Sequence, residues 1–132
     1  MSFAYSVETS KAADVALAAV QESLAAHRFS VLWQHDMAAT LEAKGFAGHR
    51  AMHVLEVCNA GQADAILRHG AQNAYFLPCR LLVRAVDDGS EIGFVGPQSL
   101  VGLAGDAADE FTRQLARDVE GELRAIVDDA AR

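Results

Sequence analysis

Residues 77–95 read LPCRLLVRAVDDGSEIGFV, and this stretch decides the fold. Two apolar runs, residues 77–86 and 91–95, flank the sequence Asp-Asp-Gly-Ser at residues 87–90. Glycine tolerates a positive φ and aspartate bonds its own backbone, so these four residues predict a tight turn. Two strands joined by such a turn form an antiparallel hairpin. The stretch therefore argues against a doubly wound parallel sheet, in which strands alternate regularly with helices.

Three further strands and two long helices are predicted around this hairpin. Alternating apolar residues indicate the strands, and apolar residues at steps of three and four indicate the helices. The predicted strands are residues 3–7, 29–33, 49–58, 77–86 and 91–95, and the predicted helices are residues 13–28, 36–44, 59–70 and 106–130. We therefore expect an α+β fold, a two-layer sandwich. About five mainly antiparallel strands would be backed by two long helices, with short helices between strands.

Polar side chains mark where the predicted helices begin. A side-chain oxygen there accepts a hydrogen bond from a free amide of the first turn, which makes Thr9 or Ser10, Asp36 and Asn59 the expected N-caps. Gln62 follows Asn59 by three residues, so the pair would form a capping box.

Three further expectations concern packing and loops. Trp33 alternates with Phe29 and Val31, which predicts that it packs in the core. Pro97 and Gly102 predict a loop between the hairpin and the last long helix. That helix carries one apolar stripe, which predicts that it covers the sheet.

The length of the chain predicts the number of domains, and its charge argues against some classes of partner. The chain has 132 residues, and we expect residues 1–132 to form a single domain. Its Asp and Glu total 18 and its Lys and Arg 11, which gives a net charge of −7. That balance disfavours nucleic acids and anionic membranes as partners, because both attract basic surfaces. With no signal sequence and no membrane-length apolar stretch, we expect a cytoplasmic protein with reduced cysteines.

Two cysteine-containing motifs flank the third predicted helix. Residues 52–59, Met-His-Val-Leu-Glu-Val-Cys-Asn, precede it, and residues 77–80, Leu-Pro-Cys-Arg, follow it. Over about residues 29–97 this pattern resembles the domain-of-unknown-function 302 family, in which a strand ends in Cys-Asn-Pro and Leu-Pro-Cys begins the next. Ala60 stands where that family has proline, which removes a preorganised first helical residue. The resemblance implies a small α+β fold, an antiparallel sheet backed by helices, and dimers. It implies no established activity.

The cysteines are the first candidate site residues. Cys58 precedes a predicted helix start, where free amides and the helix dipole can lower the pKa of a thiol. The simpler interpretation is a buried cysteine that packs as a small hydrophobic residue. Cys79 would lie beside Cys58 if the two strands are antiparallel neighbours. Their alternation patterns, however, place Cys79 on the core face and Cys58 on the other, which opposes a disulfide.

A metal site would need a third ligand besides the two thiols. None of the five histidines forms a His-x-x-His unit, so ligands would have to come from separate elements. His53 is the best candidate because it lies in the same strand as Cys58. Five residues separate the two, so in an ideal strand they point to opposite faces.

Charged residues are expected to share one face of the sheet. Glu56, Arg80 and Arg84 would form cross-strand pairs that add modest stability there. An arginine pair can also bind a carboxylate or a phosphate, with Met52 and Leu82 among the apolar walls. The same face could form a dimer interface, and we favour an interface or a helix-covered face over a ligand pocket.

Familiar catalytic motifs are missing: the sequence has no Gly-x-Ser-x-Gly, no Walker loop and no dinucleotide fingerprint. We therefore expect a non-catalytic module that binds a small-molecule ligand or a protein and acts as a homodimer, with the sheet as its recognition surface. Two alternatives stay open: a thiol-dependent redox or sulfur-handling protein, and a metal-binding protein that uses the thiols with a histidine. The candidate binding residues are Cys58, Cys79, Glu56, Arg80 and His53. The sequence indicates no cofactor.

Overall fold

A computed structural model describes residues 3–132 and shows an α+β fold built on one five-stranded sheet. The strands are β1 (Ala4–Thr9), β2 (Ser30–Asp36), β3 (Met52–Cys58), β4 (Cys79–Val86) and β5 (Gly89–Val95). The helices are α1 (Ala13–Ala26), α2 (Met37–Ala43), α3 (Ala60–His69), α4 (Pro97–Gly102) and α5 (Glu110–Ala131). Short 3-10 turns over Ala71–Phe76 and Gly105–Ala107 connect α3 to β4 and α4 to α5. The predicted fold class is confirmed.

The sheet has the strand order β1-β5-β4-β3-β2, and every neighbouring pair is antiparallel. In the central pair, Leu55 lies opposite Leu81 and Val57 lies opposite Cys79. Residues that lie opposite each other share a face, so this register collects the apolar residues of the strands on one side. β1 and β2 are the two edges of the sheet.

The helices α1 and α5 cover the apolar face and pack against each other, and together they enclose the main core. Fully buried leucine or isoleucine side chains each contribute about 1.5–3 kcal/mol relative to exposure. The largest fully buried side chains include Leu24, Leu55, Leu81, Ile92, Leu123 and Ile126. The Tyr5 hydroxyl donates to the Asp128 carboxylate at 2.7 Å, which ties edge strand β1 to α5. Within residues 3–132, no helix is both long and apolar enough to cross a membrane.

The opposite face of the sheet carries the charged residues that the sequence placed together. Glu56 lies directly opposite Arg80, and Arg84 lies on the same face. The guanidinium of Arg84 forms its ion pair with Glu91 of the neighbouring strand, at 2.8 Å. A half-exposed cross-strand pair of this kind contributes about 0.2–1 kcal/mol. The predicted shared face is confirmed, with Glu91 as the partner of Arg84.

The prediction that Trp33 packs in the core is wrong. Trp33 is 45% exposed, and its ring stacks on His35 with the centroids 5.0 Å apart. The reason is a β-bulge: Val31 lies opposite Val57, but after one extra residue Trp33 lies opposite Glu56. An extra residue in one strand turns the following side chains to the other face. Trp33 therefore leaves the helix-covered face.

The start of α1 also differs from the prediction. The N-cap residue is Ala12, which makes no side-chain capping bond. The hydroxyl oxygen of Thr9 accepts from the backbone N–H of Lys11 at 3.3 Å, so its bond closes a turn before the helix. The second predicted cap is confirmed, because the Asp36 carboxylate accepts from the Ala39 amide at 2.9 Å.

The segment between β5 and α5 is more regular than the predicted loop. Residues 97–102 form α4, with Pro97 at the favoured first-turn position of a helix. The start predicted near Asp106 for the last helix is too early. The Asp109 side chain accepts from the Thr112 amide at 3.0 Å and caps α5, so the helix begins at Glu110.

Two glycine substitutions test the close approach of the hairpin turn to β1. Gly89 has a φ of 147°, and a Cβ there would lie 2.0 Å from the carbonyl oxygen of Thr9. We expect Gly89→Ala to lower the free energy of unfolding in urea by about 2 kcal/mol or more, because a strained backbone and a clash combine. Gly121→Ala is the control: a Cβ at this α5 position meets no atom within 4 Å. It should raise stability by about 0.5–1 kcal/mol, since alanine favours a helix interior. Equal effects from both variants would contradict this account.

Candidate functional site

An apolar cleft opens where the central strands meet α3, α4 and α5. We call it the α3–α5 cleft. The space that the centre of a water molecule can occupy is about 50 Å³. All the empty space of the cleft, including its open mouth, is about 500 Å³. A single water needs only about 15 Å³ by the first measure, so the cleft is larger than a packing defect. Its apolar lining includes Phe29, Val57, Ile66, Phe76, Val101 and Val119.

The cleft exists because α3 leaves the sheet at the end of β3. The side chain of Asn59 accepts from the backbone N–H of Gln62 at 3.1 Å and caps α3. The predicted capping box forms only by half, because the Gln62 side chain does not return to Asn59. Its Nε2 donates instead to Glu122 of α5, at 3.0 Å. This bond joins α3 to α5 along one wall of the cleft.

Gln62 leaves a polar atom without a partner. Its Oε1 is buried and has no hydrogen-bond partner among residues 3–132. The orientation of the amide follows from its neighbour: a carboxylate only accepts, so Glu122 takes the N–H₂ group and directs the oxygen away. A buried acceptor without a partner costs about 1–3 kcal/mol. Unpartnered buried atoms are rare in native proteins, which makes Gln62 a candidate site residue.

A second contact holds the far end of α3 against the start of α5. The His69 ring hydrogen-bonds the Asp109 carboxylate and stacks on Phe111, with ring centroids 4.3 Å apart. The bond from His69, followed by the bond from the Thr112 amide, lowers the pKa of Asp109 from 3.8 to about 2. These polar contacts fix α3 beside α5, although Ile66 is the one fully buried residue of α3.

Both cysteines border the α3–α5 cleft, and both are free thiols. The register confirms that Cys79 lies on the helix-covered face, opposite Val57. Cys58 ends β3, where the strand gives way to Asn59, and its thiol donates weakly to the Asn59 carbonyl at 3.6 Å. The sequence predicted that the two cysteines lie on different faces of the sheet. Both nevertheless border the same cleft, because Cys58 is the last residue of its strand.

Burial raises the pKa of both thiols. It raises the pKa of Cys58 above its usual value of 9.0. The pKa of Cys79 rises to about 11, first through burial and then through the nearby charge of Cys58. A thiolate is the form that reacts with electrophiles and binds metals. The start of α3 therefore does not activate Cys58 in this structure.

The other predicted site residues lie away from the cleft. Glu56 and Arg80 lie opposite each other on the charged face. His53 shares the helix-covered face with Val57 and Cys79 but lies opposite Val83, further along β3. In the described part of the chain, no three His, Cys, Asp or Glu side chains come together as metal ligands. Sequence reasoning found both thiols and Asn59 but missed the cleft itself. Pro97, at a favoured first-turn position, was a signal for the α4 wall.

The fold and the cleft define a class: a small α+β protein with one antiparallel sheet, helices on one face and an apolar cleft at the end of the sheet. The model of the family described as Domain of unknown function DUF302 matches residues 5–130. A crystal structure described as that of an uncharacterized conserved protein DUF302 from Bacillus stearothermophilus has a TM-score of 0.91 and 33% sequence identity, and the match covers 100% of both chains. No curated protein matches the chain. The chain belongs to the DUF302 family, which confirms the resemblance carried by the two cysteine motifs.

The raised pKa of Cys79 predicts slow thiol chemistry at neutral pH. In Cys58→Ala, which isolates Cys79, we expect reaction with a chromogenic disulfide at pH 7 to be at least about tenfold slower than for a free cysteine. The rate should climb as the pH rises above neutrality, because the thiolate then forms. Burial, the main cause of the raised pKa of Cys79, is kept in this variant, whereas the smaller contribution of Cys58 is removed. The same variant in urea is the control and should react at the rate of a free thiol. A native rate equal to the unfolded rate at pH 7 would contradict the burial of this thiol.

Proposed function

We propose that this protein is a non-catalytic binding module that takes a small, mainly apolar molecule into the α3–α5 cleft and works as a homodimer. The observation that carries the proposal is the cleft itself. Ligand sites are concave and mostly apolar, with a few polar groups that orient the ligand. The α3–α5 cleft fits this description, with Gln62 and Asn59 as polar groups in its wall.

The cleft is a better ligand site than the charged face of the sheet, which the sequence favoured as recognition surface. On that face Arg84 already binds the carboxylate of Glu91, so an acidic ligand would have to displace it. The cleft, by contrast, is lined by apolar side chains that include residues of α3, α4 and α5. Transfer of an apolar group into such a site is worth roughly 25 cal/mol per Å² removed from water.

A thiol-dependent redox role is the second candidate, and one observation favours it: Cys58 and Cys79 border the same cleft. Formation of a disulfide would remove two protons and two electrons, which an external oxidant must accept. The raised pKa of both thiols slows attack on such an oxidant. Binding therefore ranks above redox chemistry.

We further infer a cytoplasmic location, where free thiols stay reduced, and no nucleic-acid partner for a chain of net charge −7.

The exposed edge strand β2 supports the homodimer. Val31, Leu32 and Trp33 are 39%, 60% and 45% exposed at this edge. An edge strand presents unpaired backbone N–H and C=O groups, and a second copy can pair with them. Antiparallel pairing of β2 with its own copy is self-complementary, as a twofold dimer requires. The two sheets would then continue into each other, and the added strand would cover part of each of these three side chains.

Filling the cleft tests the binding function. Ala63 lines the cleft on α3, whereas Ala60 is exposed at the start of the same helix. We expect fluorobenzene, a compact apolar probe, to shift the backbone amide signals of Ile66 and Val101 in ¹H–¹⁵N spectra of the wild-type protein. Ala63→Leu should abolish these shifts because its larger side chain occupies the space, and Ala60→Leu should keep them. Absence of binding to the wild-type protein would overturn the proposed function.

Charged substitutions on β2 test the homodimer. We expect the wild-type protein to sediment with twice the chain mass. Leu32→Lys should sediment as a monomer, because each copy would bring a positive charge into the shared interface. Tyr75→Lys is the control, since Tyr75 is 92% exposed outside the sheet. The single tryptophan, Trp33, should also emit at longer wavelength in Leu32→Lys than in the wild-type protein. A wild-type monomer, or a dimer that survives Leu32→Lys, would exclude this interface.

A further inference from the structure

The side chain of Gln62 gives the α3–α5 cleft a chemical preference. Its Nε2 is engaged with the Glu122 carboxylate at 3.0 Å, while its Oε1 is buried without a partner among the described residues. The two groups of the amide therefore differ in role. The N–H₂ group anchors the side chain to α5, and the oxygen remains as an acceptor beside the cleft.

The hydrogen bond between Gln62 and Glu122 restricts which ligands can bind. Rotation that exchanges the amide oxygen and nitrogen would place Oε1 against the Glu122 carboxylate, and two acceptors repel each other. Gln62 therefore offers a ligand an acceptor and not a donor. To bond a ligand, the amide must turn Oε1 toward the cleft while Nε2 keeps its bond to Glu122.

Charge restricts the ligand further. An anion would meet the negative Glu122 carboxylate behind Gln62 and would find no donor in the amide oxygen. A charged group of either sign would also lose its hydration against a lining that includes Ile66, Val101 and Val119. A neutral ligand avoids both costs.

We propose that the ligand of the α3–α5 cleft is a neutral, mainly apolar molecule with a single hydrogen-bond donor, a hydroxyl or a ring N–H, which the Oε1 of Gln62 accepts. This inference rests on the proposed binding function and adds the class of ligand to it. The donor gives the buried Oε1 a hydrogen-bond partner, while the rest of the ligand contacts the apolar lining. Glu122 acts as a positioning residue, because it holds the amide in the orientation that presents the acceptor.

Phenol and fluorobenzene separate this inference from the proposed function. The two molecules are similar in size and shape, but phenol alone donates a hydrogen bond, and it stays neutral at pH 7. Dissociation constants are measured from ¹H–¹⁵N amide shifts for the wild-type protein, for Gln62→Leu and for Gln98→Leu. Gln98 is the matched control, because its Nε2 donates to Glu120 of α5 at 3.1 Å and it lies outside the lining of the cleft.

We expect Gln62→Leu to weaken phenol binding about fivefold relative to fluorobenzene, the effect of one lost hydrogen bond. Gln98→Leu should leave the ratio of the two dissociation constants unchanged. Equal ratios in the wild-type protein and Gln62→Leu would overturn the role of Gln62 while leaving the binding function intact. Failure of both molecules to bind the wild-type protein would overturn the binding function and, with it, this inference.

A measurement on the wild-type protein makes the test independent of how Gln62→Leu folds. The ¹³C signal of the Gln62 side-chain carbonyl should shift when phenol is added, because its oxygen gains a hydrogen bond. Fluorobenzene, at the same occupancy of the cleft, should shift it much less. Equal shifts with the two molecules would show that Gln62 does not accept from the ligand and would overturn the inference.

Discussion

The antiparallel register of β3 against β4 is the constraint on which the rest of the structure depends. Leu55 lies opposite Leu81 and Val57 opposite Cys79, all on the face that the long helices cover. Because strand side chains alternate between faces, a slip of one residue would turn Glu56 into the core and expose its apolar neighbours. The helix-covered core therefore holds the register in place. The same register brings Val57 and Cys79 to the end of the sheet, where the cleft begins.

The cleft follows from how α3 leaves this sheet. The helix packs beside α5 but buries only Ile66 fully, and polar contacts join its two ends to α5. Segments with few buried apolar contacts open at a lower free energy than the core around them. A displacement of α3 would therefore break few buried apolar contacts.

Sequence reasoning predicted the parts of the fold that local patterns determine. The hairpin turn, the Asp36 cap and the end of α3 at Gly70 depend on neighbouring residues alone, and the structure confirms them. The bulge that turns Trp33 outward depends on pairing with β3, so alternation within β2 could not reveal it. The residues of the candidate site also fall into those with a local sequence signal and those without one. Both thiols were recognised from their motifs, whereas the contact from Gln62 to Glu122 joins residues 60 positions apart and left no local signal.

The apolar lining that supports the proposed binding function also makes the cleft a poor place for thiolate chemistry. Burial disfavours the charged form of a thiol, which is why the pKa values of Cys58 and Cys79 rise. A catalytic thiolate would need a cation to reverse this effect, but the charge that anchors Gln62 beside the cleft is the carboxylate of Glu122. A neutral donor, in contrast, would gain from both features, because it needs no hydration in the apolar lining and can bond Oε1 of Gln62, which lacks a partner among residues 3–132. The physical character of the cleft thus favours recognition of a neutral molecule over chemistry at sulfur.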